Sequence, residues 1–261
     1  GTFLSGGLDS STITVLAKKY NDQIEGFTTV YRPEKKYEKY NLDFKFSKRL
    51  SEDLDIKLNV NYIDNISSAL DDFYKVTSYL DEPVSNLNLL NTYWQSKHAN
   101  LLNFKVILTG DGSDELFCGY DRYHKIFLSN YLIVFNIINR KINKYHSLKK
   151  LDIPLFFYSV FKNSNLEKIL NKKNYLINYG ELNLLDNINY NSNVDYINYF
   201  DFRYWLTNES NYKLDKCTMI NSIEARVPFQ DISLIKKMFF TKNSKKYSLF
   251  NRKFLLKANK S

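Results

Sequence analysis

Gly1-Thr2-Phe3-Leu4-Ser5-Gly6-Gly7-Leu8-Asp9-Ser10-Ser11 is an apolar start that runs into two glycines and then into a helical pattern. That order predicts a strand, a tight turn and a helix start. Ser5, Gly6 and Gly7 leave the backbone free to curl with its N–H groups turned inward, and a helix opening at Asp9 or Ser10 adds its positive end at the same place. Backbone amides so arranged hold a phosphate. The same residues also suit a plain turn with Asp9 or Ser10 as helix N-cap, the commoner use of such a cluster. The distinguishing feature is an acidic residue with hydroxyls on both sides and no lysine, which does not fit the G-x-x-x-x-G-K-S/T phosphate loop.

Ser5-Gly6-Gly7-Leu8-Asp9-Ser10-Ser11 resembles instead the PP-loop of the ATP pyrophosphatases, enzymes that cleave ATP between its alpha and beta phosphates. The resemblance implies that backbone amides and hydroxyls hold the departing pyrophosphate. Charge neutralisation then falls to Mg²⁺ on carboxylates such as Asp9.

Outward from the loop, Thr12 to Tyr20 carries Ile13, Leu16 and Ala17 at helical spacing, and Ile24 to Tyr31 is rich in β-branched and aromatic residues, as a strand is. Tyr40 to Leu54 places Leu42, Phe46, Leu50 and Leu54 on one helical face. Ile56 to Ile63 alternates as a strand, and Ile66 to Leu80 and Leu87 to Leu102 read as helices. Lys105 to Thr109 is a short apolar run ending before Gly110, the pattern of a buried parallel strand. Alternation of this kind predicts an α/β fold with a doubly wound parallel sheet, ligands binding beyond the carboxyl ends of its strands. From Tyr120 onward strand signals fade, and Ile126 to Ile142, Leu166 to Leu170, Tyr196 to Leu206 and Ile232 to Phe240 read as helices. The C-terminal half is therefore expected to be mostly helical, with Pro154 and Asn187 to Asn193 as breaks inside it.

With 261 residues, 44% of them apolar, the chain can bury one large core or two modest ones. It holds no run of about eighteen apolar residues and opens inside an apparent strand, so neither a membrane span nor a signal peptide is expected and the start reads as cut. Cys118 and Cys217 lie far apart, and His98, His124 and His146 form no ligand pattern. Free thiols, a reducing, cytoplasmic location and no zinc follow as expectations. The net charge of +9 would attract nucleic acid. The lysines, however, are spread among asparagine and tyrosine, and the one dense cluster, Lys141 to Lys150, reads as a solvated face, so no nucleic-acid partner is expected.

Three carboxylates follow the last strand in Gly110-Asp111-Gly112-Ser113-Asp114-Glu115, where such a sheet places its ligand site. An acidic helix start with Ser113 or Asp114 as N-cap explains them equally well, and both uses can coexist.

Leu108-Thr109-Gly110-Asp111-Gly112-Ser113-Asp114-Glu115-Leu116-Phe117-Cys118-Gly119-Tyr120 resembles the L-S-G-D/E-G-x-D-E-x-F-G-G-Y signature of the asparagine synthetase family. Asp81-Glu82-Pro83 is similar to that family's D-E-P segment. Lys213-Leu214-Asp215-Lys216, followed by Asn221-Ser222-Ile223-Glu224-Ala225-Arg226-Val227-Pro228-Phe229-Gln230-Asp231, resembles K-x-D-R and S-L-E-A-R-V-P-F-L-D. Four motifs stand in the family's order between positions 5 and 231; Tyr123 to about Tyr204 carries none.

The resemblance implies one synthetase domain over 1–261, truncated at both ends, with an α/β nucleotide-binding part at 1–120 and a helical part at 121–261. It implies that the side chain of aspartate attacks ATP to give a β-aspartyl-adenylate, which ammonia from glutamine converts to asparagine. Leu4, Ser5, Gly6, Gly7, Asp9, Ser10, Ser11, Thr109 and Gly110 would meet ATP and pyrophosphate, and Asp9 and Asp114 would bring Mg²⁺. Asp111 would take a proton from ammonia, with Glu209 a second active-site acid. An N-terminal glutaminase domain, a lysine-containing loop past 252–260 and a possible homodimer are further implications. Glu224 and Arg226 are expected to form a buried ion pair fixing the helical half to the sheet. Cys118 stands where the family has glycine, so a positive φ there would strain the turn. A related amidotransferase acting on a sugar acid or another amino acid has the same motifs. A β-lactam synthetase would have tyrosine at Asp111. A non-catalytic nucleotide- or nucleic-acid-binding protein on the same scaffold is the reading from another class.

Overall fold

The computed structural model describes residues 1–32, 41–64, 68–82, 88–132 and 192–241, with single positions 35, 38, 84, 86, 168 and 190. Outside the described residues lie 133–142 of the helix expected from Ile126, nearly all of 166–170, the 141–150 lysine cluster, Pro154 and the C-terminal 252–260. Gly1–Leu116 and Tyr204–Phe240 belong to one compact unit, and the described part of Phe117–Arg203 to a second.

The first unit is built on a parallel sheet of β1 (Thr2–Phe3), β2 (Gly26–Tyr31), β3 (Leu58–Ile63), β4 (Val106–Leu108) and β5 (Glu224–Arg226), in the order β3-β2-β1-β4-β5. Helices cover both sides, the doubly wound α/β class expected. From the central β1 the chain steps through β2 to β3, then returns on the other side as β4. The strand order therefore reverses between β1 and β4. The loops leaving these two strands flank the crevice where such sheets bind ligands.

Phe27, Ala99, Ile107 and Ile223 form one buried cluster, with Phe3 and Phe104 packed on it. Removing a side chain like Phe27 from water stabilises the fold by roughly 1.5–3 kcal/mol. A second cluster joins Val76, Leu89, Tyr93 and Trp94 to Cys217.

Two helices approach the sheet by a different face than their apolar residues predict. In α1 (Leu8–Tyr20) the buried residues are Ser10, Thr12, Ile13 and Thr14, while Leu16 is 45% exposed. The reason is hydroxyl packing: the Thr14 and Thr2 hydroxyls are hydrogen-bonded at 3.0 Å in the interior, and Thr14 Oγ1 donates to Ser10 O at 2.8 Å. In α2 (Leu42–Asp53) Leu42 and Phe46 are exposed and Ser47 and Ser51 are buried, because a small face is what fits against the glycine loop. The expected alternation of β3 is also altered, since its buried residue is Asn59, whose Nδ2 donates to Glu25 Oε2 at 2.7 Å.

β5 is absent from the sequence reading, which expected helices alone after Tyr120. It pairs with β4 from Val106↔Glu224 to Leu108↔Arg226. The ion pair expected to be buried there is a surface contact: Arg226 Nε donates to Glu224 Oε1 at 2.8 Å, with both side chains about 60% exposed. Two residues apart on a strand, the pair shares one face, and at the sheet's edge that face meets water.

Within the second unit, α6 (Asp121–Leu132) and α7 (Asn193–Phe200) flank a buried network. Arg122 Nε and Nη2 donate to Asp201 Oδ2 at 2.9 and 2.7 Å, and Tyr123 Oη donates to the same oxygen. Burial and the Asp201 charge push the Tyr123 phenol well above its ordinary value. From Asp201 to Asn211 the backbone winds as a π-helix before returning to α-helix in α8 (Tyr212–Met219). The sequence reading had ended a helix at Leu206; π-helical winding of this length is rare and often marks functional segments.

Candidate active site

The loop after β1 folds on its own hydroxyls. Gly7 N donates to Ser5 Oγ at 3.2 Å, Ser5 N to Ser10 Oγ at 3.3 Å, and Ser10 Oγ to Gly7 O at 3.2 Å, with the two hydroxyls 3.0 Å apart. A hydroxyl has one proton, so with Ser10 donating to Gly7 it is Ser5 that donates to Ser10. Gly6 sits at φ +77, and a Cβ there would come within 2.6–2.7 Å of Phe46 Cβ, Asp43 O and Ser47 N. Only glycine satisfies both conditions. The helix begins at Leu8, with Gly7 as an N-cap that offers no side chain to the first turn. The cap residue itself thus supplies no acceptor to that turn, and a helix start of this kind attracts anions.

The loop after β4 lies directly against it. A Cβ on Gly110 would stand 2.8 Å from Ser10 N and 3.0 Å from Asp9 Cβ. Ser113 Oγ donates to Asp9 Oδ1 at 2.7 Å. The two loops are therefore one surface, with the Asp9 carboxylate at their junction. On the second loop Asp111 and Asp114 are half-buried, while Glu115 is only 2% exposed and belongs to the interior. Leu4 and Thr109 are buried too, at 0% and 2% exposure, with their backbone N–H groups bonded to Phe27 O and Arg226 O. Thr109 N bonds to Arg226 O at 2.9 Å, which ties this loop to β5.

The C-terminal segment of the first unit arrives at the same loops. Ser210 Oγ donates to Asp111 Oδ1 at 3.1 Å. Its neighbour Glu209 keeps Oε1 buried with no hydrogen-bond partner among the described residues. Further out, Tyr212 Oη accepts from the N–H groups of Asp81 and Glu82 at 2.7 and 2.9 Å, and Lys216 Nζ meets Asp81 Oδ2 at 2.5 Å. The segment before α4 (Asn88–Leu101) is held to α8 in this way.

A family model described as Asparagine synthase matches residues 1–259. The chain belongs to the asparagine synthase family. Among curated proteins it is similar to asparagine synthetase (glutamine-hydrolyzing) 1 of Bacillus subtilis, 26% identical over 251 residues, covering 88% of this chain and 38% of that protein. A putative asparagine synthetase (glutamine-hydrolyzing) of Mycobacterium tuberculosis is 27% identical over 261 residues, covering 88% of this chain and 37% of that one. One from Methanocaldococcus jannaschii is 33% identical over 130 residues, covering 49% and 22%. The chain thus spans less than two fifths of the length of the first two relatives.

An asparagine synthase must accommodate ATP with its metal, and the donor set here fits. The uncapped first turn of α1 and the Ser5–Ser10 cradle suit phosphate oxygens. The carboxylates of Asp9 and Asp114 are oxygen donors of the hard kind that Mg²⁺ takes. Among the described residues no group of three His, Cys, Asp or Glu side chains is placed to hold a metal. Mg²⁺ suits such a site, because it commonly takes one or two carboxylates and completes its shell with phosphate and water. Among the described residues no helix is long and apolar enough to cross a membrane.

The sequence reading names no site role for Ser210, Asn211 and Gln230, and names Ser113 only as a candidate helix N-cap. Ser113 occupies the variable position of the acidic motif, and Ser210 and Asn211 lie outside any motif. Gln230 did carry a signal, since the family pattern quoted above has leucine there.

Proposed function

We propose that the chain is the synthetase part of an enzyme that converts aspartate to asparagine, splitting ATP into AMP and pyrophosphate. The observation that carries this reading is the junction of the two loops, Ser113 bonded to Asp9 and Gly110 against Ser10, at the reversal point of the sheet. Ser5, Gly6, Gly7, Ser10 and Ser11, with the helix dipole behind them, would hold the beta and gamma phosphates as they leave. Asp9 and Asp114 would hold Mg²⁺, which when bound offsets the charge of the departing pyrophosphate. Thr109 and Gly110, at the end of β4, would meet the ribose. The aspartate carboxylate attacks the alpha phosphate and forms a β-aspartyl-adenylate. Ammonia then attacks the acyl carbon, AMP departs, and the extra proton passes to the Asp111 carboxylate, whose Oδ1 Ser210 holds. Glu209 would face the acceptor amino acid as a second acid. In the full-length protein a glutaminase domain would supply ammonia from glutamine, in keeping with the relatives' greater length.

The test is Asp9→Asn in the full-length protein. An amide is a poor ligand for a hard cation, so calorimetric affinity for Mg·ATP should fall tenfold or more. The unfolding midpoint should hardly move, because the amide oxygen still accepts from Ser113. Unchanged Mg·ATP affinity would reduce Asp9 to a loop-fixing residue.

A further inference from the structure

Gln230 and Asn211 face each other as a reciprocal amide pair: Asn211 Nδ2 donates to Gln230 Oε1 at 2.7 Å, and Gln230 Nε2 donates to Asn211 Oδ1 at 2.8 Å. Two antiparallel amide bonds of this length fix both side chains in one orientation. The pair sits on the turn that carries Asp111. Gly112 has φ +91, and a Cβ there would fall 2.6 Å from Gln230 Cγ, so the glutamine occupies the space the glycine leaves. Gln230 Nε2 also reaches Asp111 O at 3.5 Å. From the other partner's backbone, Ser210 immediately precedes Asn211 and donates to Asp111 Oδ1.

We propose that the Gln230–Asn211 pair is a positioning device for Asp111, setting the carboxylate's direction toward the incoming ammonia in the amidation step proposed above, on which this inference rests. Gln230 presses on Gly112 and holds the peptide of Asp111, and Asn211 locks Gln230. The same lock fixes the end of the π-helix and so the position of the Ser210 hydroxyl. Main chain and side chain of Asp111 are therefore held by two consecutive residues of one element and by one residue of the segment after β5. Leucine at position 230, as in the family pattern, fills the same volume but makes neither amide bond.

The pair acts on the ammonia step and not on the phosphate loop, which separates its role from general support of the fold. Gln230→Met, Asn211→Ala and the double variant are made in the full-length protein and compared in two assays. Aspartate-dependent ATP–pyrophosphate exchange reads adenylation alone, and asparagine formation from ammonium reads both steps. Misdirecting a reacting group costs on the order of tenfold to a hundredfold. Asparagine formation is thus expected to drop at least tenfold in each variant while exchange stays within about twofold, with the double variant no worse than either single. Parallel loss in both assays, additive losses, or unchanged asparagine formation would overturn the lock. Absence of exchange in the parent protein would overturn the functional reading itself, and the positioning role with it. If Gln230→Met fails to fold, Asn211→Ala reads the same lock from its other partner.

Discussion

Cys118 has φ +56, in the left-handed region, at the position where the family signature has glycine. A side chain there costs roughly 1–2 kcal/mol in backbone strain. The thiol is buried, and Asn198 Nδ2 approaches its sulfur at 3.7 Å. Cys118→Gly and Cys118→Ala both discard that contact and differ from each other mainly in backbone freedom. The glycine variant is therefore expected to be the more stable by about 1 kcal/mol, the reverse of the order at helical or extended positions. Urea unfolding of the two variants decides it, and an alanine variant of equal or greater stability would mean that the turn relaxes. Sequence comparison with the family pattern found this residue, but the sign of φ came from the fold.

At the scale of elements, the Asp81–Glu82 segment is tied to α8 by the Tyr212 hydroxyl and by the Lys216–Asp81 ion pair. Tyr212 Oη accepts two backbone N–H bonds, both on the exposed side of the contact. Water can replace an acceptor in such a place, so Tyr212→Phe should lower stability by only about 1 kcal/mol. A denaturant midpoint measures that loss; a loss above about 3 kcal/mol would show that the segment is buried in solution. The helices α1 and α2 show why apolar periodicity misjudged their inner faces. A helix packed against a glycine loop or a two-residue strand must approach closely, which serine and threonine at the contact allow, while the Leu16 and Phe46 side chains stay largely exposed. β5 shows a different limit: Glu-Ala-Arg has no apolar alternation, and it is a strand only because β4 offers it a ladder.

For the whole molecule, the buried cluster around Cys217 couples stability to alkaline pH. Cys217 is fully buried on α8 against Tyr93 and Trp94, and burial pushes its thiol from 9.0 up to about 11, with Lys213 acting weakly in the opposite sense. The folded state thus keeps a proton that the unfolded chain releases. The resulting stability is present in full below about pH 9 and is lost as pH rises toward about 11. Cys217→Ala is less stable at neutral pH because it leaves a cavity, but it has no thiol to titrate. The gap between parent and variant should therefore narrow from about pH 8 to about pH 10.5. Urea midpoints at the two pH values test this, and a constant gap would mean that the thiol ionises freely in the folded state.

The sequence alone determined most local elements of the first half and the two glycine-bearing loops. Gly6 and Gly7 between a strand and a helix, and Gly110 and Gly112 around Asp111 after an apolar run, are local patterns whose physics lies in a few adjacent residues. The alternation of strand and helix then dictated a parallel sheet. What only the tertiary structure decided is which residues meet across long separations. Ser113 on Asp9, Ser210 on Asp111 and Gln230 on Asn211 join segments 104, 99 and 19 residues apart, and no periodicity encodes such pairings. Glu224 and Arg226 make the same point in reverse. Their charges suggested a buried pair, but edge position in the sheet left them in water, because burial is set by what packs on a face and not by the residues that form it.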